Sequence, residues 1–446
     1  MARWRSGAVI GDAEPARRLA RRFVSAGVFS PESRAATLGP DDVTIVVPVR
    51  NRPGQLARLL DALAGLSCVV VDDASIDAGA SKDIAERHGA RFVGLTTNAG
   101  PSAARNAGLT LVDTALVAFV DSDCVPADGW LRPLLGLFDD PLVAAVAPRV
   151  VSPPERTGVL ARYERVRPLL DQGRTPAPVR PGGRVSYVPS AAIVVRADLA
   201  EGPDLFDPSL RGGEDVDLVW RLTEAGWDVR YVPTSVVTHD GPRDVHSFLA
   251  RRSFYGSTAA PLSRRHRDHV RPVEVSGWSL AVWAFALAGR PTLALTTLEA
   301  SIAVMADRLS GLVRDPVGVA TRIAGRGTAR AALPALRGLA RAWSPALVIA
   351  LACRRTRRHA ALALVLPALN DWAANPEGLD PIRFTALHVA DDVAYGAGVW
   401  AGCARERVLE PLLPRVVWRS RTWSAITLRQ SLGTRSTEKP LRHPLA

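Results

Sequence analysis

The feature that most constrains this chain is a rhythm between residues 43 and 123, where short β-branched runs alternate with helical stretches and two of the runs end in carboxylates. VTIVVPV (43–49), CVVVDDAS (68–75), RFVGL (91–95) and LVAFVDSD (116–123) read as strands. LARLLDALAGL (56–66), SKDIAERHG (81–89) and SAARNAGLTLV (102–112) read as the helices between them. A strand that is apolar on both faces needs a sheet covered on both sides, and alternation with helices makes that sheet parallel. The expectation is a Rossmann-like α/β domain, its sheet mostly parallel with helices on both faces. Such sheets bind ligands at the carboxyl ends of their strands, which is where Asp72, Asp73, Asp121 and Asp123 fall.

After residue 150 the alternation becomes irregular. RTPAPVRPGGR (174–184) reads as a mobile loop, YVPSAAIVVR (187–196) as a strand, GGEDVDLVWRLTEAG (212–226) as a helix with an acidic start, and a further strand ends at His239. Beyond 250 come the apolar runs WSLAVWAFALA (278–288), TLALTTLEASIAVMA (292–306), PALVIALA (345–352) and AALALVLPAL (360–369). None reaches the ~20 residues of a spanning helix. They read as the helical core of a C-terminal region; alternatively the first two, split by Gly289-Arg290-Pro291, read as a hairpin that lies on, or dips into, a membrane surface. The expected division is a helical appendage at 1–41, with Leu19, Phe23 and Val24 on one face, two halves of the α/β domain at 42–150 and 151–250, and a mainly helical region at 251–446.

A chain of 446 residues, 47% of them hydrophobic, has enough material for more than one core, which excludes global disorder. The net charge of +12 suits a phosphate-bearing substrate, an anionic membrane surface or nucleic acid. An Arg-rich, Lys-poor excess is also what a GC-rich genome produces, so charge alone decides little. The four cysteines form no CxxC pair and read as reduced thiols of a cytosolic protein. MARWRSGAVIGDAEPARR has no apolar core of the kind a secretory signal needs.

Five constellations carry candidate chemistry. Asp121-Ser122-Asp123 places hard oxygen ligands after an apolar strand, suited to Mg²⁺ or Mn²⁺ bridging a diphosphate. Taken alone, it reads better as a solvated turn with capping aspartates; its position after an apolar strand, with a second carboxylate-ended strand upstream, favours the metal. Asp72 and Asp73 could accept hydrogen bonds from a base N–H or a ribose hydroxyl, or cap the next helix. Residues 98–108, NAGPSAARNAG, open a helix whose free N–H groups, with Arg105, attract phosphate; tight packing would use the same small residues. Gly212-Gly213 can expose Glu214 and Asp215 in a cleft, one of them as general base, although a helix start favours acids in any case. His239 is either a structural histidine or a further metal ligand.

In order, PVRNR, VDDAS, NAGPSAARNAG, FVDSD, SYVPSAAIVVR, GGEDVDL and VVTH resemble the family-2 glycosyltransferases of the GT-A fold over about 200 residues. The resemblance implies that 42–150 binds a nucleotide sugar and 151–250 the acceptor. It implies that Pro48 and Arg50 cradle the nucleotide, that Asp73 or Asp72 holds uracil or ribose, and that Arg105 lies along the diphosphate. Asp121 and Asp123 would form the D-x-D pair, Asp123 being the direct metal ligand, and Asp215, beside Glu214, the inverting base. The segments DVTIVVPVRNRP, VAFVDSDCVPADGWL, VAAVAPRVV, GEDVDLVWRL and RRSFYGSTAAPLSRRH are similar to the glycosyltransferases of the mycofactocin system, to about residue 310. That similarity implies β-linked glucosyl transfer from UDP-glucose to a small acceptor derived from a Val-Tyr peptide, with Mn²⁺ or Mg²⁺ and without nucleic acid. Active-site motifs without a signal peptide place the catalytic domain in the cytoplasm, and the basic segments RRSFYGSTAAPLSRRHRDH and CRRTRRH near the apolar runs offer a peripheral contact to the inner face of the membrane. The Q-x-x-R-W loop of processive synthases has no counterpart in Arg251-Arg252-Ser253-Phe254-Tyr255. Other readings are a cell-envelope polysaccharide glycosyltransferase, a nucleotidyltransferase, whose Gly-rich first loop PVRNRPGQL does not supply, and a non-catalytic nucleotide-sugar binder.

Overall fold

The computed structural model describes residues 4–418 apart from 5, 6, 8, 11, 12, 32–35, 200–203, 268 and 376. Parts of two expected segments, the appendage 1–41 and the helical region 251–446, therefore lie outside the described residues. The chain forms two compact units, one running to Val245 and the other from His246.

The first unit is built on the strands β1 (Val43–Val49), β2 (Ser67–Asp72), β3 (Arg91–Gly94) and β4 (Leu116–Val120), with the helices α1 (Glu14–Ser25), α2 (Pro53–Ala62), α3 (Ala78–Arg87) and α4 (Pro101–Leu109). β1 is buried along its whole length, as its unbroken apolar sequence requires. Ile45, Val47, Leu56, Leu59, Val70 and Val120 share one core. β1 pairs in parallel with β2, Val49 opposite Asp72, and with β4, Val46 opposite Phe119. The chain thus leaves β1 on one side, makes β2 and β3, and returns to β4 on the other side. The reversal opens a crevice at the carboxyl ends of β1 and β4, the usual ligand position in an open α/β sheet.

The second half departs from the parallel pattern. It adds β5 (Cys124–Pro126), β6 (Val143–Val151), α5 (Val159–Val166), β7 (Ala177–Val179), β8 (Ala192–Arg196), α6 (Glu214–Glu224) and β9 (Asp228–His239). The sheet order is β3-β2-β1-β4-β8-β6-β9-β5, with β7 also on β9. β8 runs antiparallel to both β4 and β6, while β6 and β9 are parallel. The result is a mixed sheet with helices, the GT-A arrangement, wholly parallel only in its first half. One expectation is overturned. Residues 174–184 are not a mobile loop, because β7 pairs with β9, Val179 and Val185 are buried, and the Arg180 N–H donates to the Val185 carbonyl at 3.1 Å. The Pro/Gly-rich composition makes the turn that follows β7, and the apolar residues on either side anchor it.

The second unit is helical: α7 (Val245–Ser257), α8 (Ala259–Arg265), α9 (Gly277–Leu287), α10 (Pro291–Leu309), α11 (Pro316–Ala350), α12 (Arg357–Ala374) and α13 (Pro381–Glu406). A two-stranded parallel ribbon joins β10 (Glu274–Ser276) to β11 (Arg415–Val417). Ala260, Val399 and Cys403 belong to its core. Buried charges are paired there, with Arg252 Nε 3.1 Å from Asp391 and His388 Nε2 3.3 Å from Asp371. Among the described residues, no helix is long and apolar enough to cross a membrane.

Candidate active site

The carboxyl ends of β1, β2 and β4 bring most of the sequence-selected residues to one crevice. Pro48 is buried within β1, and Arg50 follows the strand, exposed. At the end of β2, Asp72 Oδ1 accepts from the Ser75 N–H at 2.7 Å, closing the turn, while its Oδ2 is buried without a hydrogen-bond partner. Asp73 uses both oxygens to accept the N–H groups of Ala99 and Gly100, at 2.7 and 2.9 Å. With the Asn98 amide oriented to suit its neighbours, it donates to Asp73 at 2.8 Å and accepts from Arg50 Nη1 at 3.2 Å. Asp73 thus fixes the loop that opens α4.

The Asp121-Ser122-Asp123 segment is a turn in which the Cys124 N–H donates to the Asp121 carbonyl at 2.9 Å. The two carboxylates of the turn take different partners. Asp121 Oδ1 accepts from Arg105 Nη2 at 2.6 Å. Asp123 Oδ1 lies 3.5 Å from His239 Nε2, and its Oδ2 accepts from Arg52 Nη1. His239 reaches this point because β9 ends beside β5, His239 opposite Cys124. Burial pushes the Asp121 carboxyl up, against the pull of Arg105. Of the expected metal set of Asp121, Asp123 and His239, Asp123 and His239 therefore face each other, while Asp121, close enough to feel both, is engaged by Arg105. Among the described residues no three His, Cys, Asp or Glu side chains form a metal-holding group by themselves.

Arg105 occupies a different place from an arginine lying along an open diphosphate groove. Its guanidinium is 2% exposed, with Nη1 2.9 Å from Glu214 Oε1 and Nη2 on Asp121, and it lies 5.2 Å from the Phe206 ring centre. Burial works against its charge, but the two carboxylates outweigh burial and hold it protonated more firmly than usual. Gly213, at φ 78°, turns the chain in the left-handed region so that α6 begins with Glu214 and Asp215. Glu214 is turned inward to Arg105. Asp215 is half-buried and accepts the Val216 N–H at 2.8 Å and the Ser190 N–H at 3.3 Å. Its carboxyl is pushed up to about 7, by burial first and then by the neighbouring Glu214. Such a group takes up a proton near neutral pH, which suits a general base.

These motifs have a match among known proteins. The family model for glycosyl transferase family 2 matches residues 44–201. The pre-mycofactocin glycosyltransferase of Mycobacterium tuberculosis is 41% identical over 416 residues, 89% of this chain and 87% of that one. The chain belongs to glycosyl transferase family 2. It is a glycosyltransferase, which sets aside the nucleotidyltransferase and the non-catalytic binder. Glycosyltransferase AglE of Haloferax volcanii is more distant, 25% identical over 254 residues, 54% of this chain and 79% of that one. The solved mannosyltransferase PcManGT from Pyrobaculum calidifontis, in complex with GDP-Man and Mn²⁺, aligns at 20% identity and a TM-score of 0.40, covering 68% of this chain and 90% of that one. At that score the likeness carries no functional weight.

Sequence reasoning missed three groups in this glycosyltransferase. Arg52 closes on Asp123, and the signal for it was the second arginine of PVRNR. Asp240, next to His239, is bound by Arg58 Nη2 and by Gln55 Nε2, the latter at 3.4 Å. Burial raises its carboxyl, but those hydrogen bonds win and hold it below the ordinary range. Asn106 donates to Asp204 at 2.9 Å and to the Phe206 carbonyl at 2.7 Å, fixing the ring under Arg105. No local pattern announces a contact across 100 residues.

Proposed function

We propose that this family-2 glycosyltransferase moves glucose from UDP-glucose onto the mycofactocin precursor, a small peptide-derived acceptor, in one inverting displacement that leaves a β-linkage. The observation that carries the mechanism is the Asp215 carboxyl, half-buried at the start of α6 and raised to about 7. It takes the proton of the acceptor hydroxyl as that oxygen attacks the anomeric carbon from the face opposite the leaving diphosphate. Glu214, engaged by Arg105, raises Asp215 rather than competing with it for the proton. Asp72 Oδ2, a buried acceptor without a partner, supports a role in receiving the uracil N–H or a ribose hydroxyl, with Asp73, Pro48 and Arg50 shaping the loops around the nucleotide.

Asp123 and His239, a carboxylate oxygen and an imidazole nitrogen 3.5 Å apart, have the donor chemistry to share one Mn²⁺ or Mg²⁺. Asp121 stands close by, and the remaining positions would be left to diphosphate oxygens. An ion held there would supply positive charge to offset that on the departing nucleotide. The 41% identical relative favours the mycofactocin acceptor over a cell-envelope polysaccharide. The test is nucleotide release from a panel of UDP- and GDP-sugars, with and without the precursor, together with the anomeric configuration of the product by NMR. Release of UDP from UDP-glucose that requires the precursor, with a β-anomeric product, is expected. Equal turnover without the precursor, or an α-linked product, would sink the proposal.

A further inference from the structure

The corner between α11 and α12 combines two features that a protein surface rarely carries together. From Pro345 to Asn370 the chain has no acidic residue, yet Arg354, Arg355, Arg357 and Arg358 stand in succession and all are exposed. Among the described residues none of the four has an ion-pair partner. Exposed aliphatic side chains flank them on both sides. Ile349 at the end of α11 is 74% exposed, and Leu362 and Leu366, four residues apart and so on one face of α12, are 54% and 46% exposed. The turn that presents the arginines is itself closed, with Thr356 Oγ1 donating to the Ala350 carbonyl at 2.8 Å and the Arg357 N–H to the Cys353 carbonyl at 2.9 Å.

We infer that the α11–α12 corner is a docking surface for an anionic lipid bilayer, with the arginines at the headgroups and Ile349, Leu362 and Leu366 at the acyl boundary. An aliphatic and basic surface of this kind binds in the plane of the interface rather than across it. Nucleic acid would use the arginines but has no use for the aliphatic flanks. A symmetric pair of chains through this face would set one arginine cluster against the other, which like-charge repulsion opposes. A bilayer containing acidic lipid is complementary to both features.

The test is co-sedimentation of the full chain with vesicles of 70% phosphatidylcholine and 30% phosphatidylglycerol, with pure phosphatidylcholine vesicles alongside. Pelleting is expected with the acidic vesicles at low salt and is lost in 0.5 M NaCl. Replacing Arg354→Gln and Arg357→Gln together weakens binding about 30-fold, and Ile349→Ser with Leu362→Ser weakens it without changing the salt dependence. All four positions are exposed, so the thermal unfolding midpoint of each variant stays at the wild-type value and confirms folding. Wild-type protein left in the supernatant with acidic vesicles overturns the inference, as does undiminished binding by the arginine variant. A dimer in light scattering that Ile349→Ser with Leu362→Ser dissociates assigns the face to self-association and overturns it equally.

Discussion

If Asp215 is the base proposed above, its raised carboxyl ties activity to stability in opposite senses. In the unfolded chain this side chain ionises near its ordinary 3.8, whereas in the folded chain it holds its proton until about 7. Below pH 4 both states are neutral at this position and it costs nothing. Between pH 4 and 7 the unfolded chain releases the proton first, so folding stability falls as pH rises, and above 7 the full cost is present. The gap from 3.8 to about 7 sets a ceiling of roughly 4 kcal/mol at 1.36 kcal/mol per pH unit. Because the carboxyl is only half-buried and Glu214 shares the charge, about half of that, ~2 kcal/mol, is expected to be recovered by Asp215→Asn at pH 8. In a unit of this size that raises the unfolding midpoint by about 4–8 °C. The same variant loses turnover by at least ~10²-fold, because the acceptor proton has no recipient. In the wild type, kcat/KM falls as pH drops through 7. The assay is thermal unfolding of both proteins from pH 4.5 to 8.5, beside nucleotide release. A midpoint difference that does not grow with pH, or a variant within tenfold of wild-type turnover, would refute the reasoning.

Asp123→Asn removes the carboxylate of the Asp123–His239 pair and should abolish both transfer and Mn²⁺ binding; an unchanged Mn²⁺ titration by electron paramagnetic resonance would dismiss the site. Arg105→Met leaves two acids without their shared cation and should destabilise the first unit by about 3–5 kcal/mol in urea unfolding; a loss under 1 kcal/mol would show that the arginine holds nothing together. Gly108→Ala would put a Cβ 2.4 Å from Val46 Cγ1 and 3.0 Å from Val71 Cγ2, so α4 must lift from β1 and β2. The expected cost is about 1–3 kcal/mol, read from the same denaturation curve.

The parts legible in the sequence were those governed by local pattern. Val43–Val49 is β-branched and apolar throughout, and the only place for it is the middle of a covered sheet. His239 and Asp123, 116 positions apart, could be assigned to one site because each ends an apolar strand, and strand ends converge. What stayed hidden was governed by partners distant in sequence. The segment 177–185 looked like a loop because β7 is only three residues long and depends on β9 for its hydrogen bonds. Arg105 looked like a phosphate ligand because an arginine at a helix start has the right charge for one; that it faces two acids instead depends on Asp121 and Glu214, 16 and 109 residues away.

Arg105 also explains how a site assembled from two halves keeps its geometry. Asp121 belongs to the parallel half of the sheet, Glu214 and Asp215 to the mixed half, and the strand that joins them, β8, runs antiparallel between β4 and β6. A guanidinium has a rigid, planar fork, so one buried arginine that bonds both acids fixes the separation of the two halves. Burying a cation with two carboxylates is costly unless all the partners are present, so the arrangement serves positioning better than stability. The Ser190 N–H, just ahead of β8, then orients Asp215 from the other side at 3.3 Å. The proposed base is thereby held at a set distance from the turn that carries Asp121 and Asp123, and the single displacement proposed above requires that the attacking oxygen and the leaving diphosphate lie on opposite faces of one anomeric carbon.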